Sequence, residues 1–93
     1  MLKVNQYFDG KVMSIGFQSA RGPATVGAMA VGEYEFGTSQ KETMTVVSGK
    51  LTVKLPGASD WKDYGPNQTF VVDPNKKFQL KVGEESSYIC YYG

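Results

Sequence analysis

Apolar and polar residues alternate with a period of two along most of this chain, the pattern of strands that bury one face. Lys11 to Phe17 sets Val12, Ser14 and Gly16 on one side and Met13, Ile15 and Phe17 on the other. Ala24 to Val31 resumes the alternation, and Gly32 to Thr38 sets Tyr34, Phe36 and Thr38 against Glu33 and Glu35. Further strands are predicted over Glu42 to Val47, Leu51 to Leu55, Trp61 to Tyr64, Thr69 to Val72, Phe78 to Val82 and Ser86 to Tyr92. Between them, Arg21-Gly22-Pro23, Ser39-Gln40-Lys41, Gly65-Pro66-Asn67 and Gly83-Glu84-Glu85 read as turns. By composition Ser48-Gly49-Lys50 reads as a tight hairpin, and Asp73 to Lys77 separates two more strands. Trp61 to Tyr64 is expected to deliver a large apolar side chain to the wall. Asn5 to Gly10 carries no such pattern and is expected to be an arm that pairs with a partner subunit. No segment holds a helical period over three turns. Short strands punctuated this regularly predict an all-β fold, a closed barrel or a sandwich.

Composition narrows the class. Ninety-three residues suffice for one domain, residues 1–93, with a single modest core. A net charge of +1 gives no electrostatic footprint for nucleic acid or an anionic membrane. No apolar run is long enough to span a bilayer, and Met1 to Phe8 lacks the apolar segment of a signal peptide. Cys90 is the single cysteine, so no internal disulfide can form, which fits a reducing compartment. A soluble cytoplasmic protein is expected. The chain has no histidine, so its chemistry falls to hydroxyls, carboxylates, lysines, one arginine and backbone groups.

Six residues separate Glu42 from Gly49, which matches the second half of the first cupin motif. Phe36 and Thr38 stand where that motif has its histidine pair. Asn67, Asp73 and Phe78 stand where the second motif has glycine, proline and histidine. The chain thus resembles a single small cupin, an RmlC-like jelly-roll barrel, with its metal site dismantled. Only Glu42 remains of four ligands, whereas a zinc or iron site needs three or four converging donors, so no metal is expected. Taken together, Val26-Gly27-Ala28-Met29, Gly32-Glu33-Tyr34-x-Phe36-x-Thr38, Glu42-Thr43-Met44-Thr45-Val46-x-Ser48-Gly49, Leu55-Pro56, Trp61 and Tyr88-x-Cys90 resemble the bacterial pyrimidine/purine nucleoside phosphorylase family over essentially the whole chain. That resemblance implies a reaction of nucleoside with inorganic phosphate as co-substrate, giving free base and ribose 1-phosphate. It also implies tolerance of purine and pyrimidine bases, no further cofactor, and a homodimer. Asp73-Pro74-Asn75 departs from the Val-Pro-Gly type of turn usual there.

Phosphorolysis passes through a cation-like sugar, and the protein's task is mainly to hold phosphate and ribose in line. Glu42 is the candidate for gripping the ribose hydroxyls as an ionised acceptor and favouring the developing positive charge. Thr38, of the same presumed inward parity as Tyr34 and Phe36, is a candidate donor to phosphate or sugar. Arg21, the only arginine, sits in a Gly-Pro turn suited to bidentate phosphate recognition. Tyr34, Phe36, Met44, Phe78 and Tyr88 are candidates for an apolar slot around the base, or are simple core. Cys90 reads as buried packing, with no histidine to activate it. Tyr7-Phe8 and Trp61 are candidate subunit contacts. A second reading stays open, a non-catalytic cupin that binds a small sugar or nucleotide-like ligand.

Overall fold

The computed structural model describes residues 2–93, and among them there is no helix. The strands are β1 (Lys3–Tyr7), β2 (Val12–Ser19), β3 (Gly22–Met29), β4 (Gly32–Gly37), β5 (Glu42–Ser48), β6 (Leu51–Lys54), β7 (Lys62–Tyr64), β8 (Thr69–Val72), β9 (Lys77–Val82) and β10 (Ser86–Tyr92). They form a six-stranded sheet in the order β1-β2-β3-β10-β5-β8 and a four-stranded sheet in the order β4-β9-β6-β7, every pairing antiparallel. The two sheets face each other as a jelly-roll cupin sandwich rather than joining into one hydrogen-bonded ring.

The predicted alternation is what closes this sandwich. Val12, Met29, Met44, Val46, Phe70, Val72, Tyr88 and Cys90 point inward from the larger sheet. Tyr34, Leu51, Val53, Tyr64, Phe78, Leu80 and Val82 meet them from the smaller one. Phe78, Leu51 and Leu80 are almost wholly buried, and each such side chain contributes about 1.5–3 kcal/mol. Tyr64, not Trp61, is the large side chain that its strand delivers to the wall. Trp61 lies outside under the Lys81 ammonium, 4.3 Å from the ring centroid.

Three connecting segments shape this topology. Ser48-Gly49-Lys50 is not a hairpin: β5 lies in the six-stranded sheet and β6 in the four-stranded one. Gly49 turns this corner at φ +83°, and a Cβ there would lie 2.8 Å from Ser86 Cβ and 2.9 Å from its Cα. Ser86 clamps the corner by accepting from the Lys50 amide at 3.0 Å and donating to the Glu84 carbonyl at 2.8 Å. Asp73 to Lys77 likewise carries the chain from β8 in one sheet to β9 in the other, with Asn75 in the left-handed region at φ 61°. Asparagine tolerates that conformation better than most residues, which suits Asn75 to this turn. Third, much of Asn5 to Gly10 is no free arm. Lys3–Tyr7 pairs with this chain's own β2, from Lys3 opposite Gly16 to Tyr7 opposite Val12.

Candidate active site

A cavity of about 130 Å³ lies between the sheets. The smaller sheet supplies Phe36, Gly37 and Phe78, and the larger one supplies Ser14, Met29, Glu42, Met44, Tyr88 and Tyr92, with Tyr7 at the rim. Pleating explains the set. Glu42 and Met44 are alternate residues of β5, Tyr88 and Tyr92 share parity on β10, and β10 pairs Tyr92 with Glu42 and Cys90 with Met44. An irregularity at Ser87/Tyr88 skips Val47, which stays outside while Met44 and Val46 face in.

Two glycine-dependent features shape the walls. Gly27 lies under the Tyr88 phenol, so close that a Cβ would fall 2.7 Å from Tyr88 Oη. The β1–β2 turn runs through three left-handed residues, Phe8 (φ 53°), Asp9 (φ 58°) and Gly10 (φ 83°). A phenylalanine there costs about 1–2 kcal/mol, offset by its ring, which packs 5.0 Å from Tyr34 and 5.5 Å edge-on to Phe36. Tyr7 meets Phe36 edge-on at 6.2 Å. The turn thereby holds an aromatic rim over the cavity.

The electrostatics are unusual for a site expected to take phosphate. Among the described residues no lysine or arginine lines the cavity, and its one ionisable carboxyl is Glu42. Burial pushes the Glu42 carboxyl above its ordinary value of 4.5, partly opposed by the Cys90 thiol, which donates to Oε1 at 3.7 Å. Burial also pushes the Cys90 thiol up to about 12, so it remains an S–H donor at neutral pH. Tyr88 is pushed up to about 12 by burial first and then by Cys90 and Tyr7. Tyr92 is raised by burial against the opposing effect of the Thr25 hydroxyl, 3.0 Å from its own. The cavity thus offers phenols, a serine hydroxyl and one reluctant acid between apolar walls. Among the described residues no group of three or more His, Cys, Asp or Glu side chains is arranged to hold a metal ion.

Of the residues singled out from the sequence, Glu42, Phe36, Met44, Phe78 and Tyr88 come together in this cavity. Three do not. The Thr38 hydroxyl donates to the Asp73 carbonyl at 2.7 Å and accepts from the Lys76 amide at 3.1 Å, stapling the end of β4 to the β8–β9 turn. Tyr34 is buried beside the cavity, its hydroxyl donating to the Ala30 carbonyl at 2.6 Å. The Arg21 guanidinium lies 4.0 Å from the centroid of Tyr91. Tyr91 alternates with the inward Cys90 and Tyr92, so this arginine sits on the outer face of the sheet. Ser14, Met29, Gly37 and Tyr92 join the cavity without having been candidates for it, and Tyr7, expected at a subunit contact, stands at its rim. Ser14 and Tyr92 carried a signal, a polar group in phase with an inward face. Tyr7 carried none, because its strand has no alternation.

The sequence model of the family described as pyrimidine/purine nucleoside phosphorylase matches residues 2–92. The chain belongs to this family. A protein of Magnetococcus marinus named pyrimidine/purine nucleoside phosphorylase is 61% identical over 93 residues, covering all of both chains. One of the same name from Alcanivorax borkumensis is 57% identical over 93 residues, 100% of this chain and 99% of that one. Among solved structures, a Vibrio parahaemolyticus protein of unknown function superposes with a TM-score of 0.93 at 43% identity, covering 97% of this chain and 96% of that one. An RmlC-like cupin from Shewanella frigidimarina shares the fold, with a TM-score of 0.72 at 16% identity over 95% of this chain and 79% of its own.

Proposed function

We propose that this chain is a nucleoside phosphorylase of broad base specificity, which converts a nucleoside and inorganic phosphate into free base and ribose 1-phosphate. The observation that carries the reading is the full-length family match, joined to a cavity with a single carboxyl group between aromatic and thioether walls. Ribose sits at Glu42, and the base lies against Phe36, Met44 and Phe78 under the Tyr7 rim. Apolar walls with few patterned donors discriminate weakly between bases, in keeping with broad specificity. Phosphate is met by the hydroxyls of Ser14, Tyr88 and Tyr92. Arg21, against Tyr91 on the outer face, and Thr38, which staples the β8–β9 turn, stand outside the cavity. The reaction needs no metal or organic cofactor, because phosphate is itself the nucleophile.

The reaction belongs to the cytoplasm, where nucleosides, phosphate and a reduced Cys90 coexist. The working species is a homodimer. On the outer face of the larger sheet, Val4, Ile15, Val26 and Ile89 lie side by side across four strands, with Met13 beside Ala28 in the adjacent row. Val4, Met13, Ile15 and Val26 are all exposed, and a contiguous apolar patch of this kind marks an association surface. Tyr7 and Phe8, by contrast, already pack on this chain's own Phe36 and Tyr34. Ile15→Glu should turn a dimer into a monomer by light scattering, and a monomeric wild type would refute the assembly.

The activity is tested by incubating purified protein with purine and pyrimidine nucleosides, with and without phosphate, and separating the products. Phosphate-dependent release of base with matching ribose 1-phosphate is expected. Saturable nucleoside or sugar binding with no release from any nucleoside would favour a non-catalytic cupin.

A further inference from the structure

Glu42 faces the cavity without a cation to balance it. The titratable groups around it are Cys90 and Tyr88 on β10, both pushed up to about 12 by burial, with Tyr92 on the same strand raised by burial and Tyr7 on β1, and β4 and β9 contribute only Phe36, Gly37 and Phe78. A phosphate dianion placed beside an ionised carboxylate in such a site would meet repulsion that nothing offsets. The hydrogen-bond geometry adds a second constraint. Cys90 is wholly buried behind the cavity wall, and its thiol donates to Glu42 Oε1. Oε2 has no hydrogen-bond partner among the described residues. Among the described residues no fully buried side-chain oxygen lacks a partner, so Oε2 is not sealed off, and Glu42 lines the cavity.

We propose that Glu42 works as a neutral carboxylic acid that hands the proton on Oε2 to the departing base, and that the Cys90 thiol, by donating to Oε1, fixes which oxygen carries that proton. Glu42 is then a catalytic residue and Cys90 a positioning residue that touches no substrate. This departs from the ionised, ribose-gripping Glu42 expected from the sequence, and it rests on the phosphorolysis reading above.

The step balances. A phosphate oxygen of HPO₄²⁻ forms the bond to the anomeric carbon as the bond from that carbon to the base nitrogen breaks. The electron pair of the broken bond leaves with the base, which takes the Glu42 proton and departs neutral. The carboxylate that remains regains a proton through solvent from the phosphoryl group of the sugar product, which ends as ribose 1-phosphate dianion. No net proton is consumed. Such a donor serves purine and pyrimidine leaving groups alike, because it asks only for a basic atom within reach and not for a patterned edge.

The test compares a purine nucleoside with its N7-methylated form, whose base already carries the positive charge and leaves without a proton. Glu42→Gln should lower kcat on the unmethylated nucleoside at least about 30-fold more than on the methylated one, within the range of general acid catalysis. Cys90→Ala should show the same asymmetry at about 5-fold, the size of one lost hydrogen bond, with KM for the nucleoside unaltered. Cys90→Ser, which keeps a donor and the packing, should recover part of that loss. A merely structural role would lower both substrates together. Infrared difference spectra of the wild type at neutral pH should show the carbonyl band of an un-ionised carboxyl that disappears in Glu42→Gln and moves in Cys90→Ala. Equal losses on the two nucleosides in Glu42→Gln, or absence of that band, would overturn the donor assignment. Equal losses in Cys90→Ala would overturn the positioning role. Wild-type protein that releases base from neither nucleoside would instead overturn the phosphorylase reading, so the two failures are told apart.

Discussion

Replacing Gly27 by alanine tests the packing that places Tyr88 in the cavity. Gly27 sits in β3 between Ser14 of β2 and Tyr88 of β10. An added Cβ would lie 2.7 Å from the Met13 carbonyl oxygen, 2.7 Å from Tyr88 Oη and 2.8 Å from Tyr88 Cζ. The first neighbour is backbone of a paired strand and the others belong to a rigid ring, so neither yields cheaply. Overpacking of this kind costs about 1–3 kcal/mol. At roughly 4–8 °C per kcal/mol for a domain of this size, Tm should fall by roughly 4–24 °C. The ring's free direction is into the cavity, so kcat/KM for the nucleoside should fall by ~10-fold, about 1.4 kcal/mol of transition-state stabilisation. Thermal unfolding followed by near-ultraviolet circular dichroism gives the first number and base release gives the second. A double-mutant cycle with Tyr88→Ala assigns the effect, since removing the phenol relieves two of the three close approaches. Coupling of about 0.5–3 kcal/mol is expected. An unchanged Tm in Gly27→Ala, or strict additivity in the cycle, would refute this account of the wall.

Three further outcomes follow from the same geometry. Gly49→Ala combines a left-handed φ of +83° with overlap onto the Ser86 side chain and backbone, and should destabilise by at least about 2 kcal/mol in urea unfolding; full stability would mean that the β5–β6 corner is not tightly clamped. Thr38→Val removes a hydroxyl that serves the Asp73 carbonyl and the Lys76 amide, and should cost about 1–3 kcal/mol while activity per folded molecule stays near wild type; a selective loss of phosphate affinity would put Thr38 in direct contact with substrate instead. Glu42 has its carboxyl raised by burial, so the folded state binds that proton more tightly than the unfolded chain. The stability this supplies is complete below the ordinary carboxyl value of 4.5 and is lost as pH rises through the folded value. Glu42→Gln, which cannot ionise, should therefore gain stability relative to wild type as pH rises from 4 to 8; the opposite trend in urea midpoints would show that the folded state prefers the ionised form.

The sequence by itself determined where strands run and which side of most of them faces in, because a sandwich requires an apolar residue at every second position on each inner face. That sufficed to bring Phe36, Glu42, Met44, Phe78 and Tyr88 into one candidate set, and the motif residues sufficed for the family. It did not determine which strands pair. Ser48-Gly49-Lys50 has hairpin composition, yet it and Asp73 to Lys77 each carry the chain between opposed sheets. Inward alternation looks identical whether the next strand hydrogen-bonds alongside or crosses to the facing layer. Nor did it reveal β1, whose side chains are largely exposed on both faces of an edge strand, so no alternation marks Tyr7 as part of the rim. Arg21 and Thr38 looked equally suited to phosphate as residue types. Only the tertiary arrangement assigned one to the outer face against Tyr91 and the other to a turn staple. The same arrangement left the cavity without a cation and set Cys90 against Glu42. Parity along a strand is a local property of the backbone, whereas the partner of a polar group is fixed by contacts between residues far apart in the chain, 48 positions for Cys90 and Glu42.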